Sequence, residues 1–394
     1  MRAAAVRDLR IDFVRGIALI MIFINHIQGN FFENFTNKNF GFSDSAEVFV
    51  LLAGYASAMA YYHRFSTGQP IETMVRVARR AGHLYTVHIL ITVLAVALFA
   101  MAAGLLSRPE LAREINIGPL LDDPARAFVG LATLRHQLGF FNILPLYVVL
   151  LLLLPVIMAA YQWDWRALLA GSLAIYLVVG FSVYNLPSYP ARHSWFFNPL
   201  SWQLLFVAGF IWGTRARHGL GIPYRAGLYW VAVGYLVTAL LMVQVPEFWK
   251  ALPKTDALGA LWGFSKTFES PFRLLHVLAL AYVVGMSPIA RWMNRVTSEN
   301  LIVQMGQHAL PVFACGSLLS MLFHLVRIGS GGGFWIDLLS ATAGILVMLM
   351  LTSFLVWQSK SPAGQVGSLS ASGFVAATPP VPPPAMVSLP PPVR

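Results

Sequence analysis

About ten stretches of this chain stay apolar for close to the ~20 residues that a helix needs to cross a hydrocarbon core. They run approximately over 10–28, 46–63, 82–106, 140–160, 166–182, 202–214, 226–245, 272–289, 308–326 and 334–357. Inside lipid each backbone N–H and C=O must be satisfied within its own segment, so such stretches fold as helices. The expected fold is therefore all-α, a polytopic integral membrane bundle of about 10 transmembrane helices. Charge content agrees, since 11% of residues are charged, where a soluble domain carries about 25%. The first stretch is weakened by its charges and the sixth by its length.

An even number of spans puts both termini on one side. Arg2, Arg7 and Arg10 precede the first span, Arg64, Arg76, Arg79 and Arg80 fill the second loop, and Arg215, Arg217, Arg225, Arg291 and Arg295 lie at later ends. By the positive-inside rule that side is cytoplasmic. The net charge of +11 is thus a matter of topology, and nucleic acid is excluded as a partner because no basic groove interleaved with aromatics exists. The lone Cys315 lies in an apolar stretch, rules out an intramolecular disulfide and reads as a core residue. No metal-ligand spacing and no tightly bound cofactor are expected. The chain divides into a membrane domain, 1–360, and a Pro-rich tail, 361–394, that reads as disordered and cytoplasmic.

The polar residues inside the apolar stretches point to chemistry. Arg15 and His26 are eleven residues apart, about three helical turns, so they share one face roughly 16 Å apart. Ionisable groups at such depth face a bundle interior or a wet cavity. Asp12 and Arg15, spaced i,i+3, are expected to pair and leave guanidinium donors over for an anionic ligand. His26 is the candidate general base. Asn25 precedes it, and Ser43 or Asp44 is expected to cap the next helix with Glu47 one turn in, at a capping-box spacing, which leaves one carboxylate to orient the imidazole. Arg76, Arg79 and Arg80 are expected at the start of the third helix, where cations oppose the macrodipole and suit an anionic group such as the phosphates of coenzyme A. His88, His276, His308 and His324 each read as packed or interfacial. The aromatic, Asn- and Pro-rich outer loops fit either a carbohydrate or a belt at the headgroups.

Several of these runs resemble the OpgC family: Asp8-Leu-Arg-Ile-Asp12-Phe-Val-Arg15-Gly, Phe23-Ile-Asn-His26, Gly41-Phe-Ser-Asp44-Ser-Ala-Glu47, Arg79-Arg-Ala-Gly-His-Leu-Tyr85 with His88, and Leu144-Pro-Leu-Tyr147. Further matches are Phe197-Asn-Pro-Leu-Ser-Trp202, Pro271-Phe-Arg273-Leu-Leu-His276 and Gly306-Gln-His308. The resemblance implies an inner-membrane succinyltransferase acting on osmoregulated periplasmic glucans, within the wider acyltransferase-3-like membrane enzymes. It further implies catalysis at Arg15 and His26, and acyl-CoA at Arg76 and Arg79. The chain departs from it at Asn25, where many relatives carry aspartate, and at Ala53-Gly54-Tyr55, where many read Ser-Gly-Tyr.

The expected function is multi-pass O-acyl transfer in the inner membrane. An acyl group, succinyl by resemblance, moves from cytoplasmic acyl-CoA to a glucan hydroxyl. His26, Glu47, Asp44 and Asn25 form the catalytic set, and Arg15, Arg76, Arg79 and Arg80 bind the donor. The partners are acyl-CoA, the glucan and the bilayer, with homo-oligomerisation left open. A transporter or exporter of a glycan or organic acid is the competing reading, and a sensory protein with a recruiting tail is a third.

Overall fold

A computed structural model describes residues 7–190, 194–245, 247–248 and 258–360; the Pro-rich tail lies outside them. Among the described residues there is no β-strand, only one bridge between Pro187 and Ser194. The helices are α1 (Leu9–His26), α2 (Ser45–Ser57), α3 (Pro70–Leu105), α4 (Ile143–Trp163), α5 (Trp165–Ser182), α6 (Pro199–Arg217), α7 (Ala226–Gln244), α8 (Pro271–Met286), α9 (Leu301–Gln307), α10 (Ala309–Ser330) and α11 (Phe334–Lys360). Short helical turns fill the connections.

Among the described residues, six helices are long and apolar enough to cross a membrane: α3, α4 with its preceding turn, α5, α7, α10 and α11. The remaining expected spans fall on α1, α2, α6 and α8. Among these, α8 is apolar but short, while α1 carries Arg10, Asp12 and Arg15. The sixth stretch forms a 19-residue helix, longer than its apolar run because Asn198 caps it and Arg215 and Arg217 extend its last turn.

The third helix corrects an expectation. It starts at Pro70, twelve residues before the apolar run, and is 36 residues long, or about 54 Å. Proline at its first position is preorganised for a helix start, and the polar turns that follow contain no breaker. Arg76, Arg79 and Arg80 therefore sit two to three turns inside the helix. The macrodipole fades within the first turn, so it does not act on them.

Close backbone approach fixes α1. Gly16 lies against the Ile302 carbonyl of α9, and Gly306 lies against the Asp12 carbonyl of α1; a Cβ at either position would collide with that oxygen. Helix α1 also packs on α2 and α10, while α3 packs on α4 and α10. Phe23, Ile27, Phe99, Phe141, Leu146 and Phe206 are among the side chains that fill the interior.

Candidate active site

Two polar regions are built around α1, one near its start and the other at its end. The first is a cavity of about 430 Å³, within the range of small-molecule sites. Its wall combines Arg15 and Ile22 of α1, Phe49, Ala53 and Ser57 of α2, Arg80, His83 and Leu84 of α3, and Tyr147 of α4. Gln307 and His308, at the break between α9 and α10, complete it. After Ser57 the chain passes through a π-helical turn, Ala58–Tyr62, which brings Ala60 and Tyr61 onto the same wall.

Arg15 faces this cavity with little salt-bridge support. Asp12 is 3.9 Å from it and is held instead by Arg7, through bonds of 2.5 and 2.9 Å. The expected Asp12–Arg15 pair is thus a weak contact, because Arg15 reaches across to α2 and donates to the Leu52 carbonyl at 2.8 Å. Its other N–H groups have no hydrogen-bond partner among the described residues. Tyr147 donates to the Phe49 carbonyl at 2.6 Å, so α1 and α4 both grip α2 at this level. Arg80 shares the field of Arg15 at Tyr147, and Arg76 and Arg80 both act on Tyr61. Arg79 is exposed and does not line the cavity.

His26 ends α1, one turn past the cavity-lining Ile22. Its ring stacks on Phe140 at 4.4 Å, and Nδ1 is buried without a hydrogen-bond partner. Asn25 is tied through its side-chain oxygen, which accepts from the Thr36 hydroxyl at 2.5 Å. Lys266, Asp44 and Lys38 are the charged groups whose fields reach His26.

The second region lies beyond His26. Asp44 caps α2, and its side chain accepts from the Ala46 N–H at 2.8 Å. Glu47 completes the capping box by accepting from the Asp44 N–H at 2.8 Å. Both carboxylates carry cationic partners that the sequence did not single out as site residues. Lys266 pairs with Asp44. Arg273 holds Glu47 through two nitrogens, one at 2.7 Å, and reaches Asp44 at 3.5 Å. Neither carboxylate hydrogen-bonds His26, so the expected His–carboxylate dyad is not formed here; each acid is already occupied by a cap and a cation. Burial works against the charge of Asp44, yet Lys266 and Arg273 overcome it and hold the carboxyl well below its ordinary range.

Glu269 is the odd member of this cluster. It is fully buried with φ +46°, and neither carboxylate oxygen has a hydrogen-bond partner. Its backbone is pinned by the Tyr176 hydroxyl, which donates to its carbonyl at 2.8 Å. Burial, and next the charge of Glu47, push its carboxyl well above the usual range. A signal for this region was present in the sequence: Lys266, Glu269 and Arg273 form a charged series at spacings of three and four, directly before an apolar helix.

The apolar helices suggest a helical membrane protein, and in it a cavity lined by Arg15 and Arg80 ends one turn short of a histidine, His26, at the end of α1. The family model for OpgC protein matches residues 7–360, and the chain belongs to the OpgC family. Membership suggests acyltransferase activity in the modification of a glucan. No curated protein and no solved structure matches the chain.

Proposed function

We propose that the protein transfers a succinyl group from cytoplasmic acyl-CoA to a hydroxyl of a periplasmic glucan, as a multi-pass enzyme of the bacterial inner membrane. The observation that carries this reading is the cavity whose cationic wall holds Arg15 and Arg80 and whose last α1 residue, Ile22, is one turn short of His26. A donor with phosphates at one end and a thioester at the other matches that polarity. The arginines take the anionic end, and the long neutral arm runs along the apolar wall of Ile22, Leu84, Ile143 and Leu144.

His26 then takes the proton of a sugar hydroxyl arriving from the far end, and the oxygen attacks the thioester carbon. The C–S bond breaks, and the thiolate leaves with the proton that His26 carried. Asn25, whose oxygen is engaged by Thr36, keeps its amide N–H groups for the developing oxyanion. Asp44 acts on His26 through its charge rather than by a direct bond, and Glu47 holds Arg273 in the same cluster. Arg76 supports the donor site beside Tyr61, and Arg79 adds long-range charge only.

The test is reconstitution of the purified protein in vesicles with succinyl-CoA and a neutral glucan. The expected result is glucan gaining the mass of succinyl groups, with free CoA released in equal amount. Folded protein that leaves both the glucan and the donor unchanged overturns the proposal.

A further inference from the structure

Four helices line the upper part of the cavity, and each continues one turn further in the same direction. On α1, Ile22 is followed by His26; on α3, Leu84 by His88; on α10, Phe313 by Ser317; and in the short turn Gly139–Phe141 that leads into the antiparallel α4, Phe140 lies three residues before Ile143. Residues one turn apart share a helix face, so these four form the next layer above the cavity wall. Phe140 is the ring on which His26 stacks. The layer is polar, yet its polar atoms are unsatisfied. His26 Nδ1, both ring nitrogens of His88 and the Ser317 hydroxyl are buried with no hydrogen-bond partner.

His88 is the strongest anomaly among them, being fully buried. One turn above it on α3, the Thr92 hydroxyl is also buried and unpartnered. Helical threonines elsewhere in this protein behave differently. Thr73, Thr86, Thr214, Thr238 and Thr352 turn their hydroxyls back onto the carbonyl four residues earlier. Burying a polar group without a partner costs about 1–3 kcal/mol, and buried polar groups in native proteins are nearly always bonded. A run of such groups at the end of a cavity fits a site that is satisfied by its substrate.

We propose that His88 is a second catalytic residue, donating a ring N–H to the thioester oxygen from the α3 wall while His26 acts from α1. The inference rests on the acyl-transfer reading above. As the sugar oxygen adds to the thioester carbon, the C=O electron pair moves onto oxygen and is stabilised there by the His88 N–H. The pair returns as the C–S bond breaks, and the thiolate takes the proton from His26. His88 ends the cycle as it began, so it neither gains nor loses a proton. A neutral imidazole in an apolar setting is suited to this donor role.

The experiment measures kcat and KM for succinyl-CoA with His88→Ala, His88→Phe and His88→Gln in the reconstituted full-length protein. Loss of one oxyanion donor costs about 10²–10³-fold in kcat, and this is expected for the Ala and Phe variants, with KM changed less than about threefold. His88→Gln keeps an N–H donor and is expected to retain more activity than either. His88→Phe removes an unpartnered polar group and is expected to melt no lower than the wild type. A folded Ala or Phe variant with kcat within threefold of wild type overturns the inference. A loss borne by KM, or failure of all three variants to fold, assigns His88 a binding or structural role and overturns it as well. Absence of transfer by the wild type overturns the acyl-transfer reading too, whereas active wild type with unaffected variants overturns this inference alone.

Discussion

Arg15 and Arg273 are both largely withdrawn from solvent, with side chains 17% and 11% exposed, yet their surroundings are opposite. Arg273 is saturated with countercharge: two of its nitrogens engage Glu47 and one also reaches Asp44. Arg15 has one carbonyl contact, a carboxylate 3.9 Å away and a cavity in front of it. A buried charge that is already paired supports structure, and removing one partner leaves the other stranded. A buried charge facing an open cavity with donors to spare is placed for a ligand. The two ends of the site are thus distinguished by how their cations are satisfied, more than by which residue types they contain.

The largest expected effect breaks the saturated end. Arg273→Met leaves Glu47 buried beside Asp44 and Glu269 without its cation, and should destabilise the protein by about 3–5 kcal/mol. The double variant Arg273→Met/Glu47→Gln should recover much of that loss. Thermal melting in detergent checks both, and a single variant as stable as wild type would remove the distinction between the two ends. Next comes His26→Ala, expected to lower acyl transfer by about 10²–10⁴-fold while the melting temperature stays near that of the wild type. Retention of half the turnover would remove His26 from the mechanism.

At the unsaturated end, Arg15→Gln or Arg80→Ala should weaken CoA binding by about tenfold or more, since a charge-assisted bond contributes roughly 1.5–3 kcal/mol. Arg79→Ala, off the cavity wall, should change binding less than about threefold, and its salt dependence should remain close to wild type. Calorimetric titration ranks the three, and an Arg79 effect equal to that of Arg80 would contradict the geometry. The smallest effect concerns Glu269. Because its folded-state carboxyl is raised, stability is highest below the ordinary glutamate range and declines as pH climbs from there toward the raised value. Glu269→Gln should remove that decline and raise the melting temperature at pH 8 by a few degrees, with little change at pH 4.

Much of this was legible in the residues themselves. The helical character and the capping box at the start of α2 follow from local spacing; the eleven-residue spacing of Arg15 and His26 puts both on α1, where Arg15 lines the cavity and His26 lies one turn beyond its last α1 residue. What spacing cannot give is partnership across the bundle. Asp12 and Arg15 satisfy the i,i+3 rule, but Arg7 outcompetes Arg15 for the carboxylate because Arg15 finds the Leu52 carbonyl on another helix. Glu47 was free on paper to orient His26, yet it meets Arg273, 226 residues later. The start of α3 lies well before its apolar run because hydropathy marks where lipid would end, whereas Pro70 marks where the helix begins.

The interlock of Gly16 with Ile302 and of Gly306 with Asp12 has a mechanical consequence. With no atom between the two backbones, α1 and α9 act as one rigid jaw, and Arg15, Gln307 and His308 ride on it together. The α3 side of the cavity contributes Arg80, His83 and Leu84 to the same wall. A guest between them is held on one side by donors fixed to that jaw, and its reach to Arg80 and His83 is set by the distance of α3 from α1. Grip on the guest and alignment of its reactive end would then be set by a single spacing, with α1 as the fixed reference against which it is measured.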